Sequence, residues 1–303
     1  MSKDVAFRGL AVLLLGIGAT GCPGAVQQDT MAATRAAVPV SVCRTQLTSP
    51  GAGASNRVRE LDAEQWIGVI VPDFDRDKGL EPTAVDCTGN YVFANESLRD
   101  GATPRDWPLI IDTDDVAMQT GPNGMKTIWV RSIRFDNGDE GGPIAMARAS
   151  GDSADVFAVG SFRGPANSKI TPARLGNEMI VVAETKECPP EGTDCRKRAY
   201  FFLPRRGRLI QAAVIDLERT AVIPSLTERG LFTEYKLRTD VTYKPEGILL
   251  LEQLRVRITH TDVPTLDTDR KLRTVEFSRM LKVERDSLFS SNDPLWERVV
   301  GRD

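Results

Sequence analysis

The sequence contains a single histidine, His260, and this scarcity removes most metal and catalytic constellations that depend on imidazole. Zinc sites usually need histidines or closely spaced cysteine pairs, and the five cysteines form no CxxC motif. The chain also lacks the phosphate-binding Walker loop and the HExxH motif. No cofactor is therefore expected.

A strong excess of one charge is also missing, since 39 Lys and Arg stand against 42 Asp and Glu, for a net charge of −3. A dedicated nucleic-acid binder would need a basic surplus, so nucleic acid is not an expected partner. Long apolar runs are absent too. The N-terminal run from Leu10 to Ala19 is far shorter than the roughly 20 residues that span a bilayer. Because Lys3 and Arg8 precede it, the run is typical of an export signal.

The signal ends in Ala19-Thr20-Gly21-Cys22, which resembles the lipobox of bacterial lipoproteins, although that family usually has leucine in place of Ala19. The resemblance implies removal of residues 1–21, a diacylglyceryl group on the Cys22 sulfur and often a further acyl chain, such as palmitate, on the new amine. Two or three such chains hold a protein stably to a membrane. Pro23-Gly24 replaces the aspartate that signals inner-membrane retention in Gram-negative lipoproteins, so the resemblance favours the outer membrane, facing the periplasm.

Removal of the signal leaves 282 residues with a net charge of −4, because Lys3, Arg8 and Asp4 are lost. Residues 22–38 are small and polar, which predicts a flexible tether. Residues 39–303 then form a β-rich envelope domain. A division into two subdomains, if there is one, is expected near residues 165–175.

Four cysteines follow Cys22, and an even number in an exported chain predicts disulfides. Three pairings exist for four cysteines. Cys188 and Cys195 enclose six turn-type residues between two apolar runs, a spacing that fits a bridge across the neck of a hairpin. Cys43 and Cys87 would then pair by elimination.

Alternating apolar and polar residues, separated by Gly, Asn, Asp and Pro turns, dominate the rest of the chain. Helical windows are few. A helical turn is expected to begin within residues 61–65, and a short helix over residues 295–300 follows Asp293-Pro294, which is a good helix start. Apolar residues also recur at every second position in residues 274–284, which favours a strand. Arg279 interrupts this apolar face, so a helix remains the alternative there. The patterns predict an all-β or β-rich α+β fold, an antiparallel sandwich or barrel-like meander, with a partial propeller as the minority alternative. The four tryptophans are expected to be core residues: Trp66, Trp107, Trp129 and Trp296.

The nearest approach to a metal motif is the run from Pro72 to Glu81, in which Asp73, Asp75 and Asp77 have the spacing of an EF-hand loop. Lys78 and Ala84 occupy the positions where that loop needs glycine and glutamate, so a solvated acidic turn is the preferred interpretation. The same interpretation applies to two further acidic groups: Asp112, Asp114 and Asp115, and then Asp136, Asp139 and Glu140.

A tripeptide at Gly151-Asp152-Ser153 resembles the GDS motif of one lipase and esterase family. That family also carries an Asp-x-x-His motif near its end, whereas Arg257 stands three places before His260 here. Without a base and its orienting carboxylate, Ser153 is not expected to be a nucleophile.

Arg205, Arg206 and Arg208 lie beside aromatic residues, and they predict either a solvated hairpin rim or a patch for lipid headgroups or an acidic partner. With no catalytic set, the chain is expected to be a non-enzymatic, membrane-anchored scaffold or binding module with an envelope protein as partner. The alternative is a periplasmic hydrolase that uses acidic residues, with or without a metal ion.

Overall fold

The computed structural model describes residues 40–47, 61–81, 83–92, 104–106, 110–188, 194–224, 230–259 and 272–301. The predicted signal segment, Cys22, the predicted tether, Trp107 and His260 lie outside the described residues. Strands account for 64% of the structure and helices for 9%, so the predicted β-rich class is confirmed. The described strands make one large mixed sheet that does not close into a barrel, which removes that alternative.

The described residues form fifteen strands, two α-helices and two short 3-10 segments. The strands are β1 (Cys43–Gln46), β2 (Pro104–Asp106), β3 (Val116–Thr120), β4 (Lys126–Val130), β5 (Ile133–Phe135), β6 (Asp139–Ser150), β7 (Ser153–Pro165), β8 (Lys169–Leu175), β9 (Glu178–Glu187), β10 (Asp194–Arg205), β11 (Arg208–Pro224), β12 (Phe232–Lys244), β13 (Gly247–Thr259), β14 (Leu272–Glu284) and β15 (Ser287–Phe289). The helices are α1 (Ala63–Ile70) and α2 (Leu295–Val299), and the 3-10 segments are Thr113–Asp115 and Pro122–Gly124.

The strands follow the order β15-β14-β13-β12-β11-β7-β6-β4-β3, and β10, β9 and β8 branch from β11. Most pairings are antiparallel hairpins, as the turn residues predict, while β11 meets β7 in parallel at Arg208 and Val159. The 17-residue strand β11 pairs with β10 along most of its length and with β12 only through its C-terminal part. Residues 272–284 are a strand rather than the alternative helix.

Strands β4, β9 and β10 bury apolar side chains on both faces of the sheet, because successive side chains of a strand point to opposite sides. In β4, Ile128 and Val130 pack beneath α1, while Trp129 packs against β9 and β10. The opposite face of β9 and β10 then packs on β13 and β14. Trp66, Trp129 and Trp296 are 0%, 0% and 3% exposed, so three of the predicted core tryptophans are buried.

Helix α1 is longer than the turn that its sequence suggests. The Asp62 carboxylate accepts a hydrogen bond from the Gln65 amide (2.8 Å), and the Gln65 side chain accepts one from the Asp62 amide (3.2 Å). This capping box satisfies two N–H groups that a helix end leaves open. Trp66, Ile67 and Ile70 then bury the inner face of the helix. No described helix is both long and apolar enough to cross a membrane.

Two disulfides form, Cys43–Cys87 and Cys188–Cys195, which confirms the prediction of disulfides and the pairing that fits the hairpin neck. The first joins β1 to the loop after α1, where the Cys87 amide donates to the Ile70 carbonyl (2.8 Å). The second closes the hairpin between β9 and β10. Residues 36–303 belong to one compact unit.

Candidate functional site

A cleft of about 340 Å³ lies where α2 crosses the inner face of the β12–β13–β14 sheet. Its volume falls at the small end of the range for ligand sites. Its walls combine charged and apolar side chains: Val214, Ile215, Asp216, Arg219, Leu237, Glu252, Arg279, Pro294, Trp296, Glu297 and Gly301.

The floor of the cleft is a buried ion pair between neighbouring strands. Arg279 of β14 donates from Nε to Glu252 Oε1 of β13 at 2.9 Å, and the two side chains are 7% and 2% exposed. The second carboxylate oxygen of Glu252 accepts a hydrogen bond from the Leu295 amide, also at 2.9 Å. The Glu252 carboxylate therefore holds both Arg279 of the neighbouring strand and the first residue of α2.

The wall of the cleft is a stack formed by Arg219 and Trp296. The guanidinium carbon of Arg219 lies 4.1 Å from the centroid of the indole ring, a cation–π geometry. Asp216 holds the same arginine from the side, with 3.7 Å between Nη1 and Oδ2. Asp216 also accepts from Arg198 Nε at 3.4 Å, so one carboxylate bridges two arginines.

These contacts determine what the cleft can do. Glu252 and Asp216 already accept from arginines, so both carboxylates serve to position cations around an aromatic wall. Glu252, Arg279, Arg219 and Trp296 are each less than one-tenth exposed, so these contacts hold the walls of the cleft to one another. Sequence reasoning missed Asp216, Arg219 and Glu252, and the one available signal was the interruption of an apolar face by Arg279.

The three aspartates of the EF-hand-like run lie in a surface turn. Asp75 Oδ1 accepts from the Asp77 amide (3.0 Å), and its Oδ2 pairs with Lys78 Nζ (3.1 Å). The hydrogen bond from Lys78 lowers the pKa of Asp75 below its usual value, and the Asp77 amide adds to this. Asp73 is exposed to solvent in the same turn. Across the described parts of the chain, no three metal-ligating side chains come together.

The other two acidic groups, far apart in sequence, meet in one ion-pair network. Glu140 accepts from Arg131 (3.0 Å) and Arg134 (3.3 Å), and Arg134 also reaches Asp115 (3.3 Å). Asp139 pairs with Arg163, whose guanidinium lies over the Phe135 ring. Asp112, Asp114 and Asp136 have exposed side chains at the rim. The network joins the 3-10 segment Thr113–Asp115 to β5 and β6, and the Asp139–Arg163 pair links β6 to β7.

The three arginines of the predicted patch separate into different roles. Arg205 pairs with Glu178 (3.0 Å) and lies 3.7 Å from Asp286. Arg208 pairs with the fully buried carboxylate of Asp86. Arg206 is exposed at a turn position with φ of 49°.

Ser153 begins β7 and donates to the Ser150 carbonyl within the β6–β7 turn (3.1 Å). His260, which the esterase interpretation would need, lies outside the described residues.

Comparison of the chain with protein-family models, with curated proteins and with solved structures finds no match.

Proposed function

We propose that the protein is a lipid-anchored envelope lipoprotein, held through Cys22 at the periplasmic face of the outer membrane. Its β-rich body would act there as a non-enzymatic scaffold or binding module for an envelope protein. The observation that supports this proposal is the pairing of the cysteines. Two disulfides occupy four of the five cysteines, and this leaves Cys22, in its lipobox-like setting, available for lipid.

The buried carboxylates are paired with arginines, and this supports a binding module over the alternative, a periplasmic hydrolase that uses acidic residues. Acid–base catalysis needs a carboxyl group that can exchange a proton with a substrate. Asp115, Glu140 and Glu252 instead accept from arginines, and each is less than one-tenth exposed. Carboxylates held in this way stabilise the fold, and the cleft beneath α2 offers recognition groups.

The anchoring is tested by fractionating cells that express the wild-type protein, C22S, or the control C188S/C195S. The wild type and the control should sediment with membranes, because the control removes two cysteines and leaves Cys22 in place. C22S should carry no fatty acid on its N-terminal peptide by mass spectrometry, and any C22S chain from which the signal has been cut should appear in the soluble fraction. A fatty acid on the N-terminal peptide of C22S, or none on that of the wild type, would contradict the proposal.

The binding role is tested by cross-linking intact cells and identifying proteins captured with the wild-type chain. The variant W296A, which removes the aromatic wall of the cleft, is compared with R238A on the solvent face of β12. Loss of a reproducible partner in W296A alone, with both proteins folded by circular dichroism, supports recognition at the cleft. The hydrolase alternative predicts instead a substrate turned over by the purified protein.

A further inference from the structure

The path by which the chain enters the β-rich body identifies one end of the molecule. Val42 precedes β1, and its side chain lies against Gly207 so closely that a Cβ there would come within 2.7 Å of Val42 Cγ1. Gly207 belongs to the β10–β11 turn. The described part of the chain therefore begins beside this turn.

Three other hairpin turns gather at the same place. Arg205 donates from Nε to the Arg285 carbonyl of the β14–β15 turn (3.0 Å) and pairs with Glu178 after the β8–β9 turn. Gly176 of that turn packs on the β12–β13 turn, since a Cβ on it would lie 2.7 Å from the Pro245 carbonyl oxygen. We call this surface the anchor end; it comprises Asp86 and residues 40–42, 174–178, 205–208, 244–246 and 282–286.

The charge of the anchor end differs in sign from that of the rest of the chain. It carries seven basic residues against five acidic ones, a net charge of +2, whereas the chain after Gly21 has a net charge of −4. Arg206, Lys244 and Arg285 are exposed there. Val40 is 84% exposed and Val283 is 39% exposed, which adds apolar groups among the cations.

We infer that the anchor end docks on the anionic lipid headgroups of the membrane that holds the lipid. This inference rests on the proposed lipid anchor. Only 17 residues separate Cys22 from Val40, so even a fully extended segment spans no more than about 60 Å. The anchor therefore keeps this end at a high effective concentration near the surface. Each Lys or Arg close to an anionic surface contributes about 1 kcal/mol, or about a fivefold preference.

The experiment uses the lipidated full chain in vesicles of phosphatidylcholine alone or of phosphatidylcholine mixed with phosphatidylglycerol. An arginine-modifying reagent is applied and the modified positions are measured by mass spectrometry. Arg206 and Arg285 should react about fivefold more slowly on the anionic vesicles. Arg255 and Arg273, exposed on strands far from the hairpin turns, serve as internal controls and should react equally on both.

A charge-reversal pair sharpens the test. In R206E/R285E, the protection of Lys244 from an amine reagent on anionic vesicles should be lost, and the matched variant R255E/R273E should keep it. Equal reactivity of Arg206 and Arg285 on both kinds of vesicle overturns the docking, and protein that still floats with the vesicles then leaves the lipid anchor standing. Protein that does not float with either kind of vesicle overturns both the anchor and the docking.

Discussion

Replacing Glu252 by glutamine should destabilise the protein more than any change at an exposed ion pair. Glu252 and Arg279 are 2% and 7% exposed, so solvent screens their interaction little. Removal of one partner leaves the other charge buried without compensation, which costs about 3–5 kcal/mol. Since a domain of this kind has only about 5–15 kcal/mol of stability, the loss should be large enough to measure easily.

The double variant E252M/R279M separates the ion pair from packing. With both charges replaced by apolar groups of similar length, the buried-charge penalty disappears, and the loss should fall to about 1 kcal/mol for the missing bond to the Leu295 amide. The single variants E252M and R279M should therefore be strongly non-additive, with a coupling of several kcal/mol.

Equilibrium urea denaturation of the two single variants and the double variant, followed by tryptophan fluorescence and circular dichroism, measures this coupling. The control is D240N, which breaks the Arg238–Asp240 pair whose side chains are 72% and 52% exposed. That change should cost less than about 1 kcal/mol. The reasoning is refuted if E252Q loses no more stability than D240N, or if the costs of the single variants simply add.

Three further predictions concern the backbone, the disulfides and a tyrosine. G142A should destabilise the protein by about 2 kcal/mol or more in thermal unfolding, because the added Cβ would lie 1.9 Å from the Val130 carbonyl oxygen. G68A, whose Cβ would meet open space on α1, should stabilise the protein by up to about 1 kcal/mol in the same assay. Loss of Cys43–Cys87 by serine substitution should cost about 4 kcal/mol and loss of Cys188–Cys195 about 2 kcal/mol in urea, since their sequence separations are 44 and 7; equal costs would contradict the loop-entropy argument. Burial raises the pKa of Tyr243 to about 12, so absorbance titration should show a late phase that Y243F removes; the stability from this raised pKa is present below pH 10 and is lost as pH rises through about 12.

The hairpins were predictable because their signals are local. Residues 235–243 and 248–259 alternate on either side of Lys244-Pro-Glu-Gly247, and the structure pairs Lys244 with Gly247 in β12 and β13. Helix α1 was predicted only at its start. Its later residues include Ile67, Val69 and Ile70, whose β-branched side chains favour strands, and packing against β4, β6 and β7 overrides that preference.

The cleft was not predictable because its residues come from β11, β13, β14 and α2, which only tertiary structure brings together. Arg279 was visible as a break in an apolar face, yet the sequence alone does not show that Glu252 neutralises it from the next strand. The carboxylate partners of Arg205 and Arg208 were not predictable for a related reason. The Asp86 partner of Arg208 lies 122 positions earlier in the chain.

Under the lipid anchor proposed above, the position of the Cys43–Cys87 disulfide has a mechanical consequence. Tension that arrives through the tether reaches Cys43 only a few residues after Val40 and passes there, through a covalent bond, to the loop that follows α1. The Arg44–Asp155 pair (2.7 Å) ties the next residue to β7. A pull on the anchor is thereby divided between two parts of the core, and the strands beyond them can keep their register while the membrane moves.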